Sequence, residues 1–343
     1  MDDKKYTLEC NGIQLNTNYW MPISDEEYEN ARHDYFDLPP FEDVIGQLKN
    51  ISSGGTKVNL ITHYYFRDLM SKVKLRYNKW TMEEVYNCKQ LIEHLACKCA
   101  QNTKVYPEDW SLHRKLFKCF GLAGKGVASP PTQFSLSTVD SVLSKYNVNG
   151  NYYDFSCGWG IRLLGALRNK VNYFGTDPND LLCERLKKLD SDYRSISPDV
   201  KSTTDIRCIG SEKFVQEWEN KMGVAFSSPP YFDVEDYKIG EQSYKPGMEY
   251  IDWIRTYVIP TMINIQKYLV DNGYFIFNIK DTKEHKMAQD WVNLAKKIGF
   301  EFIGTDDVVV HKRSYGTTNG NGENHTHNGN ENMFIFIKRK GNK

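Results

Sequence analysis

Three short stretches of this chain carry residue types whose spacing could do chemistry. The first is Asp154-Phe155-Ser156-Cys157-Gly158-Trp159-Gly160, which ends an apolar run and opens a helical one. Gly158 and Gly160 allow a sharp turn and a close backbone approach to a ligand where a Cβ would collide. By themselves they also fit an ordinary tight turn. The second stretch, Gly175-Thr176-Asp177-Pro178-Asn179, places an acid 23 residues after Asp154. Two carboxylate oxygens at the end of a second strand suit ribose hydroxyls. The turn lacks the third glycine of a dinucleotide loop, and no Lys-Ser/Thr follows it as in a phosphate loop. The expected ligand is therefore a nucleoside without phosphates, with S-adenosylmethionine as the candidate. Asp205 and the pair Ser211-Glu212 fall where an adenine edge is expected, with Glu212 as the possible contact.

The third stretch is Ser228-Pro229-Pro230-Tyr231. Consecutive prolines fix two φ angles and remove two donors, so the loop is stiff and presents acceptors only. Acceptors are what alkylation of an exocyclic amine requires. The lone pair of adenine N6 or cytosine N4 is delocalised into the ring. Hydrogen bonds from that amine to the Ser228 oxygen and the Pro229 carbonyl favour a pyramidal nitrogen aimed at a methyl donor. Tyr231 offers a flat face for a base taken out of its stack. The plainer alternative is a diproline turn with a buried tyrosine.

Such residues need a scaffold that gathers strand ends. After residue 150, strands are expected at 152–156, 172–176, 205–209, 223–227 and 273–279. Helices are expected between them at 160–168, 180–190, 211–221, 249–270 and 284–297. This alternation predicts a parallel sheet covered on both faces. The runs 300–311 and 333–339 have no helix between them, so they should pair antiparallel at one edge, giving seven strands with one reversed. Ligands of open sheets bind at the carboxyl ends of strands where the order reverses. The glycine turn, Asp177 and the diproline should therefore adjoin. Upstream, 1–58 reads as an irregular segment ending at Ser52-Ser53-Gly54-Gly55. The stretch 59–122 reads as helical, with Val85, Cys88, Ile92, Leu95 and Cys99 on one stripe.

The tetrapeptide resembles the catalytic signature Asp/Asn/Ser-Pro-Pro-Tyr/Phe/Trp of amino-methylating DNA methyltransferases. Phe232 to Tyr237 and Gly240 to Ser243 resemble members with the Ser form, the 154–160 turn their cofactor motif, and 274–281 (YFIFNIKD) their fifth strand. The resemblance covers about 126–340 and implies a Rossmann-like class I methyltransferase domain at 126–343. Its site residues would be Ser228, Pro229, Pro230 and Tyr231 for catalysis. Phe134, Ser135, Asp154, Ser156, Cys157, Gly158, Gly160, Asp177 and Glu212 would bind S-adenosylmethionine. Phe134 and Ser135 enter only through this resemblance, from the segment preceding the turn. The implied activity is methylation of cytosine N4 or adenine N6 in a flipped DNA base, as a companion to a restriction nuclease, an orphan enzyme or a viral mark. Two features depart from many Ser-form members: the cofactor motif precedes the catalytic one, and 178–228 holds no large recognition insert. Recognition would then fall to 59–122, 232–250 or 312–332. Alternatives are an RNA or protein glutamine acceptor, or a non-catalytic nucleic-acid-binding module. A cytosine-C5 mechanism is disfavoured, because no Pro-Cys nucleophile follows the fourth strand.

Charge and composition set outer limits. Lys+Arg and Asp+Glu are equal at 44 each, which excludes a wholly basic nucleic-acid coat. The stretch 61–125 nevertheless carries 12 basic and 6 acidic side chains, densest at Lys72, Lys74, Arg76 and Lys79 with Tyr77 and Trp80 interleaved. That block fits a phosphate backbone or a solvated helix face. No apolar run is long enough to span a membrane, and the start lacks an apolar signal core, so a cytoplasmic location is expected. The eight cysteines read as reduced thiols, Cys97 and Cys99 among them as packed ones. The loop 312–332 is rich in Asn, Gly and His and is expected to be mobile. Its His325 and His327 lack the support of a metal site.

Overall fold

The computed structural model describes residues 5–101, 109–124, 126–308 and 331–341. The chain divides into two compact units. One comprises Met1–Phe41, His63–Thr132 and Asp233–Ile239, the other Glu42–Thr62, Gln133–Phe232 and Gly240–Lys343.

The second unit is built on a seven-stranded sheet. Its strands are β1 (Asn151–Asp154), β2 (Asn172–Thr176), β3 (Thr204–Arg207), β4 (Met222–Ser227), β5 (Leu269–Asn278), β6 (Glu301–Val308) and β7 (Glu331–Ile337). They lie in the order β6-β7-β5-β4-β1-β2-β3. β7 runs antiparallel to β5 and β6, and the other neighbours are parallel. Every residue of β4 is buried, as expected of a central strand covered on both faces. The helices α1 (Leu136–Tyr146), α2 (Ile161–Arg168), α3 (Asp180–Ile196), α4 (Ile259–Tyr268) and α5 (Met287–Ile298) accompany the sheet. Strand order reverses between β1 and β4, so the glycine turn and the diproline leave neighbouring strands. This is the Rossmann-like sheet of class I methyltransferases, with the reversed strand and edge pair that the sequence implies.

Two helices differ from expectation. The stretch 211–221 contains only a 3-10 turn at Gln216–Trp218. Groups outside the segment take part of its backbone bonding: Asn264 Nδ2 donates to the Ser211 carbonyl at 2.9 Å, and Lys221 N donates to the Tyr268 carbonyl at 2.9 Å. Val215 N donates to Tyr268 Oη at 2.6 Å, and Trp218 Nε1 donates to Asp205 at 3.0 Å. The expected helix 249–270 is α-helical at Tyr250–Trp253, π-helical at Ile254–Val258 and α-helical again in α4. Pro260, in the first turn of α4, has no N–H for the Thr256 carbonyl, and the preceding turn widens.

The first unit corrects the irregular reading of 1–58. Tyr6–Cys10 and Ile13–Thr17 form a hairpin whose turn, Asn11-Gly12, has φ of 52° and 72°. Asn-Gly between alternating apolar residues is the sequence signal for this turn. Asp25–Phe36 is a helix with a Ser24/Glu27 capping box. Phe41–Ser52, which from Glu42 onward belongs to the second unit, is a further helix. The helical reading of 59–122 corresponds to Asn59–Met70, Met82–Tyr86, Lys89–Gln101 and Leu112–Ala123. The stripe does not run unbroken, because the Thr81-capped helix ends at Asn87. Val85, Ile92, Leu95 and Cys99 still enter one apolar core.

The basic block is not helical: it forms turns around the strand Lys74–Leu75, which pairs with Glu235–Asp236. Arg76 bonds Asp233 at 3.2 Å, so local acids offset part of its charge. Among the described residues, Cys10, Cys88, Cys97, Cys157, Cys183 and Cys208 are free thiols. Cys99 is disulfide-bonded, which corrects the expectation of uniformly reduced cysteines. It lies on the Lys89–Gln101 helix, which packs closely on Leu112–Ala123. No described helix is long and apolar enough to cross a membrane. His325 and His327, with 312–330 as a whole, lie outside the described residues.

Candidate active site

The glycine turn is held by a buried ion pair. Asp154, at the end of β1, is fully buried and accepts from Arg162 Nε at 2.8 Å and from Tyr173 Oη at 2.9 Å. Arg162, in the first turn of α2, also donates to the Ser156 carbonyl. Burial opposes the Arg162 charge, but Asp154 outweighs it and raises the guanidinium pKa above its ordinary value. Gly158 and Gly160 take φ of 56° and 78°, where a side chain would be strained. Cys157 is buried, with its amide and Sγ both on the Thr176 carbonyl at 3.3 and 3.4 Å. Asp154 and Cys157 thus work within the turn, tying it to α2 and to β2.

Asp177 follows β2 and is 8% exposed. It accepts from the Asn179 amide at 3.1 Å and from the Gly158 amide. Burial pushes its carboxyl up to about 7 in spite of those amides. This acid faces the glycine turn and can accept from the hydroxyls of a sugar. Near it is Tyr257, on the π-helical turn and 5% exposed. Its Oη makes no hydrogen bond of good geometry. The neighbouring Ser211 hydroxyl is engaged with Thr261 at 2.9 Å. Burial raises the Tyr257 phenol, and the charges of Glu212 and Asp177 both act on it. The Glu212 carboxylate folds over Gly210. Asp205 is committed elsewhere, accepting from Arg207 at 2.7 and 3.0 Å and from Trp218 at 3.0 Å.

The diproline adjoins the turn. Ser227, the last residue of β4, donates from Oγ to the Ser156 carbonyl at 3.2 Å. Ser228 Oγ donates to the Asn278 carbonyl at 3.2 Å. That bond takes the hydroxyl proton and leaves the Ser228 oxygen as an acceptor. Asn278, at the end of β5, is itself buried and held by the Asn332 carbonyl at 3.3 Å. Pro229 is buried, while Pro230 and Tyr231 are half-buried. The next residue, Phe232, anchors the loop among aromatic rings, 5.2 Å from Tyr250, 5.8 Å from Trp253 and 5.1 Å from His285.

Phe134 lies 5.3 Å from Phe226, with the Arg162 guanidinium over its ring. Ser135 serves the helix instead, since its hydroxyl caps α1 through the Thr138 amide at 3.1 Å. Three contributors lie outside the sequence motifs. Arg162 has a visible signal, as the one charge in the apolar run 161–167. Asn278 ends a run of apolar strand residues. Tyr257 has no signal beyond Pro260 three residues on. The Asp177 carboxylate and the Tyr257 hydroxyl, beside the left-handed glycine turn, offer hydrogen-bonding groups of the kind a ribose uses. Among the described residues, no cluster of three or more His, Cys, Asp or Glu could hold a metal ion.

No protein-family model and no curated sequence matches the chain. Solved structures similar to it include the [4+2]-cyclase SpnF, with 12% identity over 60% of this chain and 80% of that one, at a TM-score of 0.40. A TehB-like SAM-dependent methyltransferase from Corynebacterium glutamicum ATCC 13032 shows 13% identity over 66% and 96%, at 0.36. A putative rRNA-methylase from Clostridium thermocellum shows 13% over 61% and 99%, at 0.39. The strand order by itself identifies the fold class.

Proposed function

We propose that the chain is an S-adenosylmethionine-dependent methyltransferase that modifies an exocyclic amine, cytosine N4 or adenine N6, of a flipped DNA base. The observation that carries this reading is the pair of serine bonds at the end of β4. Ser227 ties the diproline to the glycine turn, and the Ser228 hydroxyl donates its hydrogen bond to the Asn278 carbonyl. An oxygen so arranged accepts from an NH2 group and cannot donate to it. With the Pro229 carbonyl as second acceptor, the amine nitrogen is drawn toward pyramidal geometry and its lone pair is freed for attack. Tyr231 gives the base a face to stack on.

The bound cofactor supplies a sulfonium methyl group as the electrophile. Asp177 accepts from its ribose, Tyr257 and Glu212 line the adenosine side, and Gly158 admits it without a Cβ. Arg162, Asp154 and Cys157 hold the turn in shape, and Phe134 packs against that clasp. The Ser-Pro-Pro-Tyr form itself favours DNA over RNA or a protein amide as acceptor. The test is mass spectrometry of nucleosides from duplex DNA incubated with purified protein and methyl-labelled cofactor. Labelled N4-methylcytosine or N6-methyladenine is expected. Label confined to RNA or protein would overturn the DNA assignment, and no transfer to any acceptor would overturn the enzyme.

A further inference from the structure

Two thiols flank Asp177. Cys183 lies in the first turn of α3, buried, with Sγ donating to the Asp177 carbonyl at 3.4 Å. Cys208 directly follows β3. Parallel pairing sets Thr176 opposite Arg207, and Asp177 N donates to Arg207 O at 3.3 Å. The residue after Arg207 therefore stands beside Asp177. The two side chains are in hydrogen-bonding contact, both are free thiols, and Cys208 is exposed whereas Cys183 is enclosed. An accessible thiol touching a second one has a route for an oxidant and a partner that completes the exchange.

We propose that Cys183 and Cys208 form a redox-active dithiol whose closure to a disulfide weakens the adjoining cofactor pocket. The second half rests on the reading of Asp177 as a ribose contact. The oxidant is a small disulfide such as glutathione disulfide. The Cys208 thiolate attacks one of its sulfurs and expels a glutathione thiolate. The Cys183 sulfur then displaces the second glutathione, and the protons of both cysteines end on the two glutathione thiols. Two protein thiols are oxidised and one disulfide is reduced. Closure removes the S–H that bonds the Asp177 carbonyl and links the end of β3 covalently to α3. The main chain carrying the ribose acid is thereby constrained from both sides.

The whole protein is equilibrated with glutathione disulfide, digested without reduction and mapped by mass spectrometry. The Kd for S-adenosylhomocysteine is measured on reduced and oxidised samples. Expected are a peptide pair joined through Cys183 and Cys208, about 2 Da lighter than the thiols, and a Kd raised about 5-fold or more on oxidation. Cys208→Ser should bind like the reduced protein and show no such rise. Bound S-adenosylhomocysteine should reciprocally lower the bridged fraction. Absence of the bridged peptide would overturn the dithiol. A bridge with an unchanged Kd would overturn its coupling to the pocket. If the reduced protein fails to bind S-adenosylhomocysteine, the cofactor reading falls, and the coupling with it, while the bridge stands on its own.

Discussion

With Asp177 as the proposed ribose contact, its raised carboxyl predicts that cofactor binding depends on pH in a definite direction. Burial pushes the Asp177 carboxyl up to about 7 in the free protein. A ribose donates its hydroxyl protons, so the ionised carboxylate is the form that binds. If binding requires that form, the apparent Kd scales as one plus the ratio of protonated to ionised acid. Between about pH 6 and about pH 8 that ratio falls a hundredfold, and the Kd should tighten about 10-fold. The ligand for the assay is 5′-methylthioadenosine, which keeps the ribose and has no amino-acid group to titrate. Calorimetry across this range should show the tightening, with uptake of the ligand releasing a proton at the acid end.

Asp177→Asn should abolish the pH dependence. It should also weaken binding roughly 10- to 100-fold at the alkaline end, for loss of charge-assisted hydrogen bonds worth about 1.5–3 kcal/mol. Stability supplies an internal control with the opposite sense. Folding raises this acid from 3.8 to about 7, so its contribution is fully present below the unfolded value and lost as pH rises through the folded one. Asp177→Asn should therefore raise Tm near pH 8 and not near pH 4, within the titration window that linkage sets at about those limits. A Kd that stays flat in the wild type would refute the placement of Asp177 at the ribose.

Three other substitutions separate the roles. Tyr257→Phe removes a buried hydroxyl that makes no hydrogen bond of good geometry in the free protein. Tm should hold or rise, while the Kd for S-adenosylhomocysteine increases about 3- to 10-fold, and an unchanged Kd would remove Tyr257 from the pocket. Arg162→Met leaves the fully buried Asp154 carboxylate without its cation. Chemical denaturation should show a loss of about 3–5 kcal/mol, whereas a loss below about 1 kcal/mol would mean the pair behaves as a surface salt bridge. Tyr231→Ala should cut turnover at least about 10-fold for loss of base stacking and leave cofactor Kd unchanged. Collapse of cofactor binding instead would contradict its role at the acceptor.

The alternation of apolar strands and helices after residue 150 is enough to predict the sheet, its reversed strand and the edge pair, because a doubly covered sheet leaves strands with continuous apolar runs. The glycine turn, Asp177 and the diproline are legible for a different reason: turns and strand ends demand particular backbone freedom, and few residues supply it. The N-terminal hairpin has a signal in Asn11-Gly12, but the mixed polarity around it leads to the irregular reading of 1–58. What periodicity does not give is how side chains compete with the backbone. The 211–221 segment has helix-compatible composition, yet the Tyr268 hydroxyl, the Asn264 side chain and the Lys267 and Tyr268 carbonyls take its backbone hydrogen bonds.

The same division holds at the site. Residue type and order determined which groups are available: an acid after the second strand, a flexible turn and a rigid loop of acceptors. Only the tertiary structure decided their states. Ser135, Asp154 and Asp205 are consumed by a helix cap, a buried arginine and an edge-strand arginine. Asp177 is left buried, which lifts its pKa, and Ser228 is made an acceptor by a carbonyl 50 residues away. Hydrogen-bond allegiance and dielectric surroundings are properties of neighbours in space, and the linear order of residues does not specify those neighbours.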